Sequence, residues 1–419
     1  MRYIADFHIH SKYSRATSQK TDLENLEKWA KTKGISILGT GDFTHPEWLR
    51  EIKEKLEPVE EGLFKLKGSD GKVKFILTTE LSCIYTKNDK VRKIHIMIFS
   101  PSIKAIERIN TQLSWTSNLK SDGRPILGMD AKDLAKLVFN SSPECLIVPA
   151  HIWTPWFSLF GSRSGFDTIE ECFEDLAPNI FALETGLSSD PEMNWRLSAL
   201  DKYTLISNSD SHSPQKLGRE ANIFEGENIN YQIIADGIKK GGKEKSQFNL
   251  IKTIEFFPEE GKYHFDGHRN CEVRLSPEER KSHGGICPVC RRPLTVGVLS
   301  RVDELADREL GYKPKTAVPF VKIVPLPEII AEVFGKSSAN SKFVDNEYQS
   351  LISNFGSEFD ILLDVSIEEI KKISPEIAEG IEIVRNQNIK ILPGYDGEFG
   401  KVSLFEAEEE KKAAQNTLF

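Results

Sequence analysis

The sequence predicts an α/β fold built on largely parallel strands, arranged as an open sheet or closed into a barrel. Two observations carry this. From residue 1 to about residue 255 one unit recurs: a short β-rich run, a ligand-type polar residue at its C-terminal end, then a segment with helical apolar spacing. The polar residues at those strand ends are also of one kind, almost all His, Asp or Glu. Strand C-termini in such folds converge on one face, where α/β barrels place their active sites.

Each unit can be read in turn. Tyr3–His10 is a strand ending in His8-Ile9-His10, whose two imidazoles share a face because residues two apart in an extended chain point the same way. Thr21–Lys33 follows as a helix, with Leu23, Leu26, Trp29 and Ala30 at helical spacing and Gly34 as its stop. Ile35–Leu38 leads to Gly-Thr-Gly-Asp42, before a helix from His45 to about Glu57. Lys74–Thr78 ends at Glu80. Lys93–Phe99 contains His95 early in the strand and precedes a helix near Lys104–Leu113. Cys145–Val148 ends in Pro-Ala-His151, Ile180–Leu183 ends at Glu184, and Tyr203–Ser207 ends in Asn-Ser-Asp210-Ser-His212.

A chain of 419 residues exceeds one typical core, so several domains are expected. The expected division is 1–255 for the repeating α/β unit, 256–315 for a metal-binding module, 316–405 for a helical domain and 406–419 for a flexible tail. No apolar run is long enough to span a bilayer and no signal-peptide pattern opens the chain, so an intracellular, cytoplasmic protein is expected. The net charge of −8 does not exclude a polyanionic substrate. From Glu358 onward 14 acidic residues face 7 basic ones, whereas the preceding 357 residues carry 49 acidic and 48 basic.

Three of the six cysteines cluster. Tyr263-His-Phe-Asp-Gly-His268-Arg-Asn-Cys271 is followed, after fifteen intervening residues, by Cys287-Pro-Val-Cys290. Two turns each offering two ligands suit a tetrahedral structural zinc, with His268 fitting better than His264 or His283 because of its two-residue gap to Cys271. Beyond residue 328 the pattern turns helical, over Glu328–Phe334, Glu347–Phe355, Ile367–Ile373 and Pro375–Arg385.

His8, His10, Asp42, Glu80, His95, His151, Asp210 and His212 together exceed what one ion needs, so two or three divalent ions are expected. Imidazole-rich ligation favours zinc or manganese, with magnesium less suited because it prefers oxygen. Clustered ions of this kind suit hydrolysis of a phosphate ester, and no Walker loop or Ser-His-Asp ordering competes. The loop after His151 contains Trp153, Trp156, Phe157, Phe160 and Arg163, a composition suited to base stacking and phosphate contacts.

His8-x-His10, Gly-Thr-Gly-Asp42, Pro-Ala-His151 and Asn-Ser-Asp210-Ser-His212 resemble the motifs of the PHP (polymerase and histidinol phosphatase) superfamily of trinuclear-metal phosphoesterases. With the His268–Cys290 module and the helical segment, the chain is similar to the endonuclease Q branch, archaeal with some bacterial members. The resemblance implies a distorted (β/α)7 barrel, and a DNA strand cut 5′ to a deaminated base (uracil, hypoxanthine, xanthine) or an abasic site. It implies one ion on His8, His10, Glu80 and Asp210, a second on Glu80, His95 and His151, and a third on His212 with the Asp42 region. Many superfamily members have Asp-His at the second motif. Here Asp42-Phe-Thr-His45 leaves either Asp42 or His45 as the ligand. Asp190, Asp210 and His212 are the catalytic candidates, although Asp190 equally suits the N-cap of a helix starting near Pro191.

Lesion recognition requires a base to leave the stack, and Trp153 or Trp156 is the expected wedge or pocket wall. The tail Gln415-x-x-Leu418-Phe419 resembles the start of a sliding-clamp (PCNA) binding box, one aromatic short. The alternative reading is a small-molecule phosphoesterase of the histidinol-phosphate type, against which the metal module, helical segment and tail all weigh.

Overall fold

The computed structural model describes residues 1–244 and 246–405. Seven strands form the barrel: β1 (Arg2–Asp6), β2 (Ile37–Gly39), β3 (Lys74–Lys87), β4 (Lys90–Ser100), β5 (Leu146–Pro149), β6 (Ala182–Glu184) and β7 (Thr204–Ile206). The pairs β1–β2, β2–β3 and β6–β7 are parallel. Ladders close neither the seam between β5 and β6 nor the one between β7 and β1. At the latter the amide of Asn208 accepts from Phe7 N at 2.9 Å and Asp6 accepts from Ser209 N at 3.1 Å, and a single parallel bridge joins Ile9 to Ser211. That bridge sets His8 and His10 beside Asp210 and His212, although about two hundred residues separate them.

Among these seven, one strand departs from the parallel expectation, and outside them Ala221–Gly226 also pairs antiparallel with β1. β4 runs antiparallel to both β3 and β5, because no helix separates β3 from β4. Asn88 and Asp89 both adopt positive φ (53° and 57°), the geometry of a tight hairpin turn that Asn and Asp tolerate better than other side chains. Glu80 and His95 consequently lie within long strands, not at strand ends. The hairpin holds them two rungs apart, with Ser82 opposite His95 and Met97 opposite Glu80.

A period of two along each strand separates the layers. Ile76, Met97, Phe99, Val148, Ala182 and Ile206 belong to one buried apolar cluster. Two residues further along the same faces come Thr78 and Glu80 on β3, His95 on β4 and Glu184 on β6. The intervening residues Leu77, Leu81, Ile96, Ile98, Ile147 and Leu183 pack into the outer cluster, with the surrounding helices.

Those helices start and stop where the sequence signals. Leu23–Lys33 is capped by Asp22, which accepts from Asn25 N, and ends at Gly34 with φ 89°. Ile103–Leu113, Ala131–Ser141 and Tyr231–Lys240 are capped by Ser102, Asp130 and Asn230. Phe320–Lys322 adds a parallel strand to Phe248–Glu255 at the edge of the barrel sheet. The C-terminal helices are Leu326–Val333, Lys342–Phe355, Ile367–Lys371 and Pro375–Arg385, followed by a hairpin, Lys390–Leu392 with Lys401–Ser403, that helical patterning did not indicate.

The C-terminal helices are tied to the barrel through a buried charge. Lys33 Nζ lies 2.6 Å from Glu358 Oε2, with both side chains 4% exposed. Tyr348 OH and the Leu326 amide also donate to that carboxylate, at 2.7 and 3.1 Å. Removing one partner strands the other without solvent. Glu358→Ala is therefore expected to cost about 3 kcal/mol of stability, read as a lowered denaturation midpoint. An unchanged midpoint would show that the ion pair does not hold the two parts together.

Candidate metal centre and cleft

Glu80 is fully buried and is the hub of the site. Its Oε2 lies 3.3 Å from His8 Nε2 and 3.1 Å from His10 Nε2; its Oε1 lies 2.7 Å from His95 Nδ1 and 3.0 Å from His151 Nε2. Asp210 Oδ1 is 3.1 Å from His10 Nε2 and 3.6 Å from His8 Nε2. Ligand atoms of His8, His10, Glu80 and Asp210 thus gather within 4.8 Å of one another, and so do those of Glu80, His95 and His151. Two ligand groups share one carboxylate, each using a different oxygen.

The donor set fits divalent ions. His8 Nε2 is buried and makes no hydrogen bond, because its geometry to the neighbouring carboxylates is wrong for one. Burial alone would protonate Glu80. The Arg124 guanidinium, then His95 and His8, overcome that and hold its carboxyl well below the usual range. Asp210 is likewise kept ionised against burial by His8 and His10. Ionised carboxylates are the state a divalent cation requires of them.

Buried partners fix the imidazoles. His8 Nδ1 lies 3.0 Å from both oxygens of Glu184, which also accepts from His151 N at 2.8 Å and Asn208 Nδ2 at 2.9 Å. His10 Nδ1 lies 3.0 Å from Asp42 Oδ1. Both are carboxylate–histidine arrangements that leave Nε2 as the ligand atom. Asp42, His151 and Asp210 adopt φ of 49°, 30° and 45°, so backbone strain accompanies the approach of these side chains.

The third ligand set does not assemble: no group of three ligand-type residues among the described ones includes Asp42, His45 or His212. Asp42 is already committed, its Oδ2 accepting from Ser11 N at 2.6 Å, Ser11 Oγ at 2.7 Å and Ser14 Oγ at 2.8 Å. His45 is the N-cap of the helix Pro46–Lys55 and stacks on Tyr13 at 4.4 Å. His212 stands beside His10, ring centroids 4.5 Å apart, and its Nδ1 donates to the Asp210 carbonyl at 2.9 Å. Burial and the neighbouring His10 push its pKa down.

Asp190 caps the helix Pro191–Trp195, accepting from Met193 N at 2.9 Å, and pairs with Lys322 Nζ at 2.7 Å. Of its two sequence readings, the structure displays the cap. Trp153 is buried, donates to Asn194 Oδ1 at 2.8 Å and packs on Phe160, so it presents no surface to a ligand. Arg163 lines a separate polar depression with Lys90, Arg92 and Arg301.

Trp156 and Phe157 do face the metal centre. They line a cleft of about 440 Å3 together with His95, His151, Asp210, Arg124 and Tyr263. Trp156 is 37% exposed and meets Tyr263 edge-on at 5.4 Å, while Phe157 packs 4.8 Å from the His95 ring. Sequence reading missed Arg124, Glu184 and Tyr263 as site residues. Glu184 ends a strand as the assigned ligands do, so the same rule could have found it. Arg124 arrives from a loop with no motif to mark it, and Tyr263, though it opens the His268–Cys271 motif, is not at a ligand spacing within it.

Away from the barrel, His268, Cys271, Cys287 and Cys290 form a third group, each offering a ligand atom within 4.8 Å of the others. A hairpin, Asp266–His268 with Val273–Leu275, supplies the first pair.

The described residues contain no helix long and apolar enough to cross a membrane. The family model described as MJ0043 C-terminal domain matches residues 325–388. The uncharacterized protein MJ0043 of Methanocaldococcus jannaschii is 36% identical over 253 residues, 60% of this chain, which spans only 31% of that relative's length. The uncharacterized protein YqxK of Bacillus subtilis is 26% identical over 96% of this chain and 99% of its own. Among solved structures, the lesion-specific endonuclease PfuEndoQ from Pyrococcus furiosus superposes with a TM-score of 0.85 at 32% identity, over 99% of both chains. The chain belongs to the endonuclease Q family. A second endonuclease Q structure, a complex with a 27-mer duplex substrate carrying an abasic lesion at the active site, matches at 33% identity and a TM-score of 0.84 over 97% of both chains. Their likeness covers barrel, metal module and C-terminal helices together, so the PHP barrel expected from the strand-end motifs is the fold of this endonuclease Q member.

Because Glu184 orients His8 without reaching the ligand group itself, Glu184→Gln is expected to weaken divalent-ion affinity by about 10- to 100-fold while leaving the fold intact. Titration of the metal-free protein followed by calorimetry measures this. Unchanged affinity would reduce Glu184 to a packing residue.

Proposed function

We propose that this protein hydrolyses the DNA phosphodiester on the 5′ side of a deaminated base (uracil, hypoxanthine or xanthine) or an abasic site. The observation carrying this reading is the cleft. His95, His151 and Asp210, drawn from the two ligand groups that share Glu80, line it beside Arg124, and Trp156, Phe157 and Tyr263 supply an aromatic wall. Paired divalent ions at such a cleft supply acidified water and charge stabilisation for a transferring phosphate. The protein's own groups do the rest. Glu184 and Asp42 hold the imidazoles in one tautomer, and Asp210 and Glu80 provide negative charge.

The volume of about 440 Å3 admits a nucleobase with its sugar, but the neighbouring helical stack cannot follow. A damaged nucleotide costs less to extrude than a paired one, which is itself a source of selectivity. Trp156, partly exposed and held by Tyr263, is the wall against which the extruded residue stacks. The imidazole-rich ligands favour zinc or manganese over magnesium in the active site. A structural zinc on His268, Cys271, Cys287 and Cys290 stabilises the module that carries Tyr263. Gln415, Leu418 and Phe419, proposed as a sliding-clamp contact, lie outside the described residues.

Labelled duplexes carrying uracil, hypoxanthine, an abasic site or no lesion test the reading. Incision 5′ to each lesion, none of the normal duplex, and loss of all cutting with chelator is the expected result. Hydrolysis of p-nitrophenyl phosphate without incision of any lesion duplex would refute it. Trp156→Ala is expected to lower the preference for lesion over normal duplex at least about fivefold, given about 1–3 kcal/mol per stacked base. Unchanged discrimination would remove Trp156 from recognition.

A further inference from the structure

We infer that Arg124 is a substrate-contacting residue that grips the scissile phosphate beside the shared carboxylate. The inference rests on the phosphodiesterase reading above. Arg124 is the sole Lys or Arg among the described residues lining the metal cleft. Its Nη1 donates to Glu80 Oε2 at 2.8 Å, and its side chain is 28% exposed, so the guanidinium reaches the ligand group from the cleft side. One N–H is used there. A planar guanidinium has five N–H donors in a fixed fork, and the fork matches two non-bridging phosphate oxygens.

The position is built. Arg124 follows Gly123, whose N donates to Tyr13 O at 3.1 Å. A side chain at Gly123 would meet Ser14 Oγ at 2.2 Å and Asp42 Oδ2 at 2.3 Å, so the chain passes directly over the carboxylate that orients His10. On the other side, Ser82 N donates to Pro125 O at 3.2 Å, and Ile126 pairs in parallel with Ser82, two residues beyond Glu80. Asp122 Oδ1 accepts from both Arg124 N and Arg15 N, at 3.1 and 3.2 Å, and closes the turn. A residue that served only to neutralise Glu80 would not need the open cleft. Arg124 has both the carboxylate and the cleft.

The test compares wild type, Arg124→Gln and Arg124→Lys as full-length proteins. The metal content of each is measured first, since a variant that keeps its ions keeps the ligand groups. Arg124→Gln is expected to lower the incision rate at saturating DNA by about 10²- to 10³-fold. In binding measured with chelator present, it is expected to reduce the slope of log affinity against log salt by about one phosphate contact. Arg124→Lys should restore the salt slope but little of the rate, because a point charge replaces the fork. A phosphorothioate at the scissile position should change the rate of wild type differently for its two stereoisomers, and Arg124→Gln should narrow that difference. If Arg124→Gln retained the wild-type salt slope and stereochemical preference, Arg124 would be a counter-ion of Glu80 alone. If wild type itself left every lesion duplex uncut, the phosphodiesterase reading would fail first, a result distinguishable from failure of the Arg124 role.

Discussion

Everything in the site depends on one buried carboxylate. Four imidazoles and a guanidinium approach Glu80 within 3.3 Å, in a position with almost no access to water. A lone ionised carboxylate so placed would cost several kcal/mol in desolvation. The surrounding cationic and ligand groups offset that cost, and the barrel is shaped to deliver them. The β3–β4 hairpin brings Glu80 and His95 together, and the Ile9–Ser211 bridge brings His8 and His10 to Asp210. The close of β5 adds His151.

That arrangement makes the ligand groups unequal. The group of His8, His10, Glu80 and Asp210 has carboxylate supports for both imidazoles, Glu184 and Asp42. His95 and His151 instead share Glu80 Oε1 and lie against Phe157 and Ser158 at the cleft, with His95 Nδ1 only 3.1 Å from His151 Nε2. The first group is held from below by the polar floor of the barrel. The second is nearer to whatever enters the cleft.

Much of this was legible before any coordinates. Strand-end histidines and acids are visible because the residues just past a short β-run come to the C-terminal mouth of the barrel, and His8, His10, His151 and Asp210 obey that rule. The His268-x2-Cys271 and Cys287-x2-Cys290 spacings were legible because a tight turn can offer only residues close in sequence. Sequence left either Asp42 or His45 as a ligand, because ligands and the groups that orient them are both carboxylates, and only hydrogen bonds such as those from Ser11 and Ser14 to Asp42 separate the two roles. Trp153 and Trp156 are three residues apart with similar composition around them, yet one is core and the other cleft wall. That difference comes from Asn194 and Tyr263, both distant in sequence. The antiparallel β4 was hidden because Asn88-Asp89 is also an ordinary loop signature.

The central claim is that Glu80 would serve both ligand groups beneath the cleft, one through each carboxylate oxygen. Anomalous diffraction from crystals grown with manganese measures this most directly. The account predicts two peaks on either side of Glu80, one among His8, His10 and Asp210 and one between His95 and His151. A single peak, or peaks that leave Glu80 uncoordinated while Asp42 or His45 binds, would contradict it.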